Sequence, residues 1–182
     1  AIGKRDPYTA GHQQRVAQLA CAIAHEMGGF DDDRLKGLRM AATIHDIGKL
    51  YVPAEILAKP GQLSEPELAL IKTHPQAGFD ILGEVEFPWP IASIVQQHHE
   101  RLDGSGYPRG LSGDTILMEA RIIGVADVVE AMSSHRPYRP GKGIEPALHE
   151  INERRGEKYD ANVVDACLAL FSKGYILLEE QK

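Results

Sequence analysis

Residues 15–27 have the sequence RVAQLACAIAHEM, and their apolar side chains recur with the period of an α-helix. The apolar positions follow the spacing i, i+3, i+4, i+7, i+8 and i+11, and they are Val16, Leu19, Ala20, Ile23, Ala24 and Met27. This spacing forms one continuous apolar stripe, which a helix buries against a core. Thr9 is expected to cap the beginning of the helix, and Gly28 and Gly29 predict its end.

Helical patterns recur along the rest of the chain, and strand-like alternation is absent. Pro75 is expected to break or kink the chain just after His74. Four glycines between residues 104 and 113 indicate a loop. The pattern predicts further helices over about residues 32–47, 64–71, 91–98, 116–132, 144–155 and 160–173. The sequence therefore predicts a single compact all-α domain over residues 1–182.

The composition excludes several classes of protein. The 182 residues are 43% apolar with a net charge of −6, which argues against disorder and against binding of long nucleic acids. No apolar stretch approaches the ~20 residues of a transmembrane helix. Two cysteines, Cys21 and Cys167, fit a reducing cytoplasmic location. Because the chain begins at Ala1 without a methionine or a signal peptide, we expect that it is excised from a longer multidomain protein.

Several polar residues fall on inward-facing positions of the predicted helices. His12 precedes Val16 by four residues, His98 continues an apolar stripe, and Asp127 follows Ile123 by four. A buried carboxylate needs a cation or several donors. Each residue alone is compatible with a hydrogen-bonded polar group in the core. Together, on separate inward faces, they favour a shared site, and eight histidines in the chain permit a nitrogen and oxygen metal site.

Two motifs carry the strongest chemical signal. Residues 45–49 are HDIGK, in which His45 and Asp46 can converge on one cation and Lys49 can meet a phosphate. The two oxygens of a carboxylate such as Asp46 can also bridge two cations. Residues 98–108 are HHERLDGSGYP, where two histidines end a helix and glycines allow close backbone approach to a ligand or partner. Packing alone does not explain this second motif.

These motifs, taken together, resemble the HD-GYP family. The resemblance extends to RDPYTAGH at residues 5–12, DVVEAM at 127–132 and RPYR at 136–139, and it covers nearly the whole chain. It implies an HD-type helical domain with a metal centre in its core. It also implies a bacterial signalling enzyme, a phosphodiesterase that hydrolyses cyclic di-GMP to linear pGpG, with onward cleavage to GMP left open.

The resemblance implies a set of metal ligands, namely His12, His45, Asp46, His74, His98, His99 and Asp127. Seven ligands are too many for one ion but suit two octahedral divalent ions, with Asp46 as the bridge. Iron or manganese is favoured, and nickel or zinc is also compatible. The expected nucleophile is a metal-bridging hydroxide. Tyr8 stands where some family members carry a glutamate that helps to hold a third metal, so we expect two metals.

The resemblance also assigns residues to the substrate and to partners. Lys49, the expected catalytic partner of Asp46, would neutralise charge on the phosphoryl group, and Arg136 and Arg139 would bind the phosphates or guanine bases. The alternative for the two arginines is incidental surface charge. The glycine-rich loop would form the substrate edge or contact a partner such as a diguanylate cyclase domain, through Asp103, Gly104, Gly106, Tyr107 and Pro108.

Two other functions compete with this one. A non-catalytic module that binds cyclic di-GMP or docks onto a partner is disfavoured because all seven ligands and Lys49 are present. An HD-type phosphohydrolase of another nucleotide is disfavoured by the Gly-Tyr-Pro loop and the two arginines. His25, His135 and His149 receive no role.

Overall fold

The computed structural model describes residues 7–134 and 143–177, with side chains from residue 11 onward. Within these ranges the chain forms nine α-helices and no strand, which confirms the all-α prediction. The helices are α1 Pro7–Met27, α2 Asp32–Ile44, α3 Ala54–Leu57, α4 Glu65–Ile71, α5 His74–Leu82, α6 Ile91–Gln97, α7 Met118–Ser133, α8 Ile144–Glu153 and α9 Ala161–Ser172. Two short 3-10 helices cover Ile47–Tyr51 and Gly113–Thr115.

Helix α1 lies at the centre of the domain and packs against α2, α7 and α9. The apolar stripe predicted for it is buried, with Val16, Leu19 and Ile23 fully excluded from solvent. Complete burial of each such side chain stabilises the fold by about 1.5–3 kcal/mol. The stripe faces the apolar residues of α7, including Ile122 and Ile123. This packing brings two long helices, and the polar residues that they carry, to one place in the core.

Side-chain caps define several helix beginnings. Asp31 accepts a hydrogen bond from the Arg34 amide at the start of α2. Ser64 and Glu67 form the capping box that opens α4. Asp160 accepts hydrogen bonds from two amides at the start of α9. Each cap satisfies backbone donors that have no partner within the helix.

Three predicted boundaries are wrong. Helix α1 begins at Pro7, so Thr9 lies inside the helix, because proline suits the first helical turn. Helix α2 ends at Ile44, and the chain continues into a 3-10 helix. The break near Pro75 comes before His74 instead of after it, since α5 begins at His74 with proline in its first turn.

None of the helices within the described ranges combines the length and the apolar character that a bilayer crossing needs.

Candidate metal centre

Five parts of the fold carry the predicted ligands to one buried place. Helix α1 contributes one residue, the end of α2 contributes two, the start of α5 one, the end of α6 two and α7 one. In that order the residues are His12, His45, Asp46, His74, His98, His99 and Asp127. Most of these side chains are almost completely buried.

The ligand atoms form two groups. In the first, called the His12 group, one atom each of His12, His45 and Asp46 lies within 4.8 Å of the others. Asp127 completes this group, with Oδ1 3.2 Å from His12 Nε2 and 3.9 Å from His45 Nε2.

In the second group, called the His74 group, the ring nitrogens of His74, His98 and His99 satisfy the same 4.8 Å limit. The ring centroids of His98 and His99 are 4.1 Å apart, and that of His74 lies 5.1 Å from that of His99. Three imidazoles from two helix ends therefore converge without a carboxylate of their own.

Asp46 stands between the two groups. Its Oδ1 lies 3.3 Å from His74 Nε2, on the side of the His74 group. Its Oδ2 lies 3.5 Å from His45 Nε2 and 3.9 Å from His12 Nε2. One carboxylate thus presents one oxygen to each group, which is the arrangement of a bridging ligand.

Backbone carbonyls set the tautomers of three histidines. The Nδ1 atoms of His45, His74 and His98 donate to carbonyl oxygens three residues earlier, at distances of 2.7, 2.7 and 2.6 Å. A carbonyl oxygen only accepts, so Nδ1 carries the proton and, in a neutral ring, Nε2 keeps its lone pair. Such outward hydrogen bonds orient metal-binding histidines.

The Nε2 atoms of these three rings lie in an environment that suits a bound cation. His74 Nε2 and His98 Nε2 face each other at 3.3 Å, although both present lone pairs. Within the part of the chain that the structure describes, His45 Nε2 is buried and has no hydrogen-bond partner. Buried polar atoms are rarely left so, because desolvation without a partner is costly. The donor set therefore fits divalent ions bound by nitrogen and oxygen.

Within the His74 group, the pKa values of His98 and His99 favour neutral rings. Burial lowers the pKa of His98 well below its usual value, with neighbouring histidines adding to the effect. Burial also lowers the pKa of His99 to about 3. Both imidazoles are therefore uncharged near neutral pH, which leaves lone pairs for a metal.

The carboxylates of the site are ionised. Burial alone raises the pKa of Asp46, but Lys49 and the neighbouring histidines hold it well below its usual range. Burial likewise raises the pKa of Asp127, but the hydrogen bond and charge of His12, together with the charges of His45 and His99, hold it well below its usual range.

His12 itself lies between two carboxylates, Asp127 and Glu130. Burial lowers its pKa, but hydrogen bonds and charges from both raise it to about 9. A metal that binds His12 therefore has to displace a proton.

Lys49 lies at the edge of the centre. Its Nζ contacts Asp46 Oδ2 at 2.7 Å, and 27% of its side chain is exposed. The ammonium is therefore next to the central carboxylate and accessible to an anionic ligand from solvent. This position suits a group that binds phosphoryl oxygens.

The glycine-rich loop is held against the His74 group. The Tyr107 ring stacks on His99 with centroids 4.8 Å apart and an angle of 26°. Glu100 is buried and accepts hydrogen bonds from the backbone amides of Arg109 and Leu111, at 2.8 and 2.9 Å. A side chain at Gly106 would meet the His99 carbonyl oxygen at 2.4 Å, so glycine is required for this approach. Two residues of the predicted contact loop, Gly106 and Tyr107, thus touch a candidate ligand.

The other residues of the predicted contact loop are Asp103 and Gly104, which precede Gly106, and Pro108, which follows Tyr107. Asp103 is exposed and accepts hydrogen bonds from the amide and hydroxyl of Ser105. Gly104 has a φ of 79°, and Pro108 follows a cis peptide bond. No partner contact is assigned to them by this geometry.

Some predicted residues cannot be located. Arg136 and Arg139 lie outside the described residues, and so does the side chain of Tyr8. Their proposed roles stay predictions.

The sequence analysis missed three residues that support the centre. Glu130 accepts a hydrogen bond from His12 Nδ1, Arg15 pairs with Glu130, and Glu100 holds the loop. The spacing of Glu130, three residues after Asp127 on the same helix, was the available signal.

The comparison with protein families identifies a known domain. A family model described as an HD domain matches residues 1–163. This match covers most of the chain and includes every candidate ligand.

Curated relatives agree with this match. The chain is 40% identical over 170 residues to the cyclic di-GMP phosphodiesterase response regulator RpfG of Xanthomonas campestris, covering 92% of this chain and 45% of that protein. It is 43% identical over 168 residues to a cyclic di-GMP phosphodiesterase of Thermotoga maritima, covering 91% and 45%. It is 40% identical over 180 residues to 3'3'-cGAMP-specific phosphodiesterase 3 of Vibrio cholerae, covering 99% and 38%. The chain spans less than half the length of these relatives.

Solved structures share the fold. An HDG"Y"P protein of Bdellovibrio bacteriovorus superposes with a TM-score of 0.75 at 22% identity, covering 90% of this chain and 52% of that one. The HD domain of the Listeria monocytogenes phosphodiesterase PgpH, in complex with cyclic-di-AMP, gives 0.66 at 23% identity, covering 96% and 95%. The solved structures show the shared fold, and the family match with the curated relatives leads to one conclusion: the chain belongs to the HD-domain family and, within it, to the HD-GYP group.

Proposed function

We propose that the chain is a metal-dependent phosphodiesterase that hydrolyses a cyclic dinucleotide, with cyclic di-GMP as the substrate. The observation that carries the proposal is the position of Asp46, which presents one oxygen to each of two groups of candidate ligands. Relatives at 40% and 43% identity bear the name cyclic di-GMP phosphodiesterase, which supports the choice of substrate.

The seven candidate ligands would hold two divalent ions, with iron or manganese favoured by the nitrogen and oxygen donors. Asp46 would bridge the ions, the His12 group would hold one and the His74 group the other. Two such ions lower the pKa of a shared water and stabilise charge on phosphate oxygens. The dinuclear centre is part of the proposal.

The protein's own side chains would bind the anionic substrate. Lys49 would donate hydrogen bonds to phosphoryl oxygens, and Arg136 and Arg139 would contact the phosphates or bases. Hydrolysis of one phosphodiester adds the water oxygen to phosphorus and leaves a 3'-hydroxyl on the departing ribose. The ring opens, and linear pGpG is the proposed first product.

The test compares substitution of Asp46 with substitution of a carboxylate outside the centre. Protein purified without oxygen and loaded with Mn²⁺ or Fe²⁺ is incubated with cyclic di-GMP, and the products are separated by ion-exchange chromatography. We expect pGpG from the unchanged chain and from Asp114→Asn, since the Asp114 side chain is fully exposed. Asp46→Asn should abolish turnover while the circular dichroism spectrum is retained. Substantial turnover by Asp46→Asn would contradict the proposal, and so would a metal-loaded chain that hydrolyses no cyclic dinucleotide.

A second candidate substrate is 3'3'-cGAMP. It is favoured by the relative from Vibrio cholerae that is named 3'3'-cGAMP-specific and aligns with 99% of this chain. The same assay with both dinucleotides at equal concentration distinguishes the two, because the substrate with the larger kcat/KM is the preferred one. Docking onto a diguanylate cyclase domain and a cytoplasmic location stay predictions.

A further inference from the structure

Glu130 is a buried carboxylate next to the centre but outside its set of ligands. It lies on α7 one turn after Asp127, and only 1% of the residue is exposed. Its Oε1 accepts hydrogen bonds from Arg15 Nε and Ser134 Oγ, each at 2.7 Å, and Arg15 Nη2 lies equally close. Its Oε2 accepts from Nδ1 of His12. Oε1 thus accepts hydrogen bonds from Arg15 of α1 and from Ser134, whereas Oε2 accepts one from the candidate metal ligand His12.

The partner of His12 differs in charge from the partners of three other candidate histidines. His45, His74 and His98 donate Nδ1–H to neutral backbone carbonyls. His12 donates to an ionised carboxylate. A carboxylate behind a metal-binding imidazole orients the ring and makes it a stronger donor to the metal than a neutral acceptor does.

This hydrogen bond orients the metal-facing nitrogen of His12. With Nδ1 held by Glu130, His12 Nε2 lies 3.2 Å from Asp127 Oδ1 and 3.9 Å from Asp46 Oδ2. The pairing joins α1 to α7 across 118 residues of sequence. Arg15 balances the charge of Glu130, because a buried carboxylate without a cation would be costly.

The two groups also differ in the number of carboxylates that contact their ring nitrogens. The His12 group contains Asp127, shares Asp46 and has Glu130 behind it. Among the described residues, the one carboxylate in direct contact with a ring nitrogen of the His74 group is the shared Asp46, whose Oδ1 lies 3.3 Å from His74 Nε2. Divalent cations are attracted more strongly where more carboxylates lie within a few ångströms.

We infer that Glu130 is a positioning residue that acts through His12, and that it makes the His12 group the tighter of two unequal metal sites. The inference rests on the proposed function, because it presumes two divalent ions. It predicts ordered loading, in which the His12 group fills before the His74 group.

The test is calorimetric titration of the metal-free chain with Mn²⁺, without substrate. We expect two binding steps. Glu130→Gln keeps the size of the side chain and removes its charge, and it should weaken the tighter step about 10–100-fold, the range for partners of metal-binding histidines. The weaker step should change less than about threefold. Glu130→Asp, which retains the charge, should recover part of the affinity.

A double-mutant cycle separates positioning from a general effect on the fold. His12→Ala should remove the tighter step, and adding Glu130→Gln in that background should then change the remaining affinity little. Equal weakening of both steps, no change in either, or a full effect of Glu130→Gln without His12 would overturn the inference. Melting temperatures of all variants show that the folded protein is being titrated. Binding of a single ion by the unchanged chain would contradict the proposed dinuclear centre instead.

Discussion

Gly48 shows how a single residue sets the spacing of the centre. A Cβ atom at this position would meet the His74 carbonyl oxygen at 1.9 Å and the Gly78 amide nitrogen at 2.6 Å. Both atoms belong to the backbone of α5, which cannot move aside as a flexible side chain can. The absence of a side chain therefore lets the segment with Asp46 and Lys49 lie directly against the helix that begins at His74.

Replacing Gly48 with alanine should consequently separate the two segments. We expect Gly48→Ala to lower the free energy of unfolding by about 3 kcal/mol, the upper end for overpacking, because backbone atoms are in the way. Urea denaturation measures the change. Gly83→Ala is the matched control, since its Cβ would be 3.1 Å from the nearest atom, and it should cost much less. Equal stability of the two variants would contradict this account of Gly48.

Lys49 can be tested separately from metal binding. Lys49→Met removes the ammonium and keeps a chain of similar length, so we expect kcat to fall about 10²-fold, the size of effect for one donor to a developing negative charge. The bound metal content should not fall, because Lys49 is a donor to Asp46 and not a ligand. Lys59→Met, at an exposed ion pair with Glu67, is the control and should leave kcat unchanged. Loss of metal from Lys49→Met would show that the residue acts on the site's assembly instead.

Among the structural elements, the loop after α6 is held in place by side-chain contacts. It contains little regular structure, yet Glu100 accepts hydrogen bonds from two of its backbone amides, and Tyr107 stacks on His99. Buried acceptors of this kind hold a loop in one conformation because leaving an amide unpaired costs about 1–3 kcal/mol. The loop is therefore held in one conformation beside the His74 group.

Removing the Glu100 carboxylate should make the loop more mobile without unfolding the domain. In Glu100→Ala, we expect the amides of Arg109 and Leu111 to exchange hydrogen at least about tenfold faster, since each loses its acceptor. Hydrogen-exchange mass spectrometry of a peptide covering residues 103–111 measures this. Asp103→Ala, whose carboxylate accepts only from Ser105 among the described residues, should leave those amides protected. Unchanged exchange in Glu100→Ala would contradict the role of Glu100.

Much of the element order could be predicted from the sequence, because the period of an apolar stripe is a local property. The stripe from Val16 to Met27 and the capping box at Ser64 are both present in the structure. The beginning of α1 and the end of α2 were wrong, and so was the side of His74 on which the chain breaks. The beginnings of α1 and α5 depend on whether a proline falls in a first turn or in a helix interior, which the local pattern leaves open.

The candidate site, too, could be predicted only in part from the sequence. The seven candidate ligands belong to recognisable motifs, and the structure brings their side chains together. Glu130 was missed because its meaning depends on His12, which lies 118 residues away and meets it only when α1 packs on α7. The two hydrogen bonds that Glu100 accepts from loop amides were missed for the same reason, since a carboxylate after two histidines does not reveal which amides it accepts from.

For the molecule as a whole, the candidate centre lies where several packed helices that are distant in sequence meet. Ligands come from α1, the end of α2, α5, the end of α6 and α7, so an ion bound there would link distant parts of the chain. Ions that bind the folded state and not the unfolded chain stabilise folding by mass action.

Removal of metal should therefore lower the melting temperature. At a free ion concentration of about 100 times Kd, one site contributes about 2.7 kcal/mol, which corresponds to about 5–10 °C for a domain of this size. Differential scanning calorimetry before and after treatment with a chelator, and again after addition of Mn²⁺, measures the shift. Asp46→Asn should show a smaller shift. A melting temperature that does not respond to chelation or to added Mn²⁺ would contradict a metal centre in this core.

In the proposed dinuclear centre, two divalent ions in this helical core are bridged by Asp46. Anomalous diffraction from crystals loaded with Mn²⁺ without oxygen, with elemental analysis of the same protein, gives the number and the positions of the ions. We expect two anomalous peaks about 3.5–4 Å apart, the spacing of two-metal hydrolytic sites, with the Asp46 carboxylate touching both and about two ions per chain. A single peak, or two peaks with Asp46 bound to only one, would contradict it.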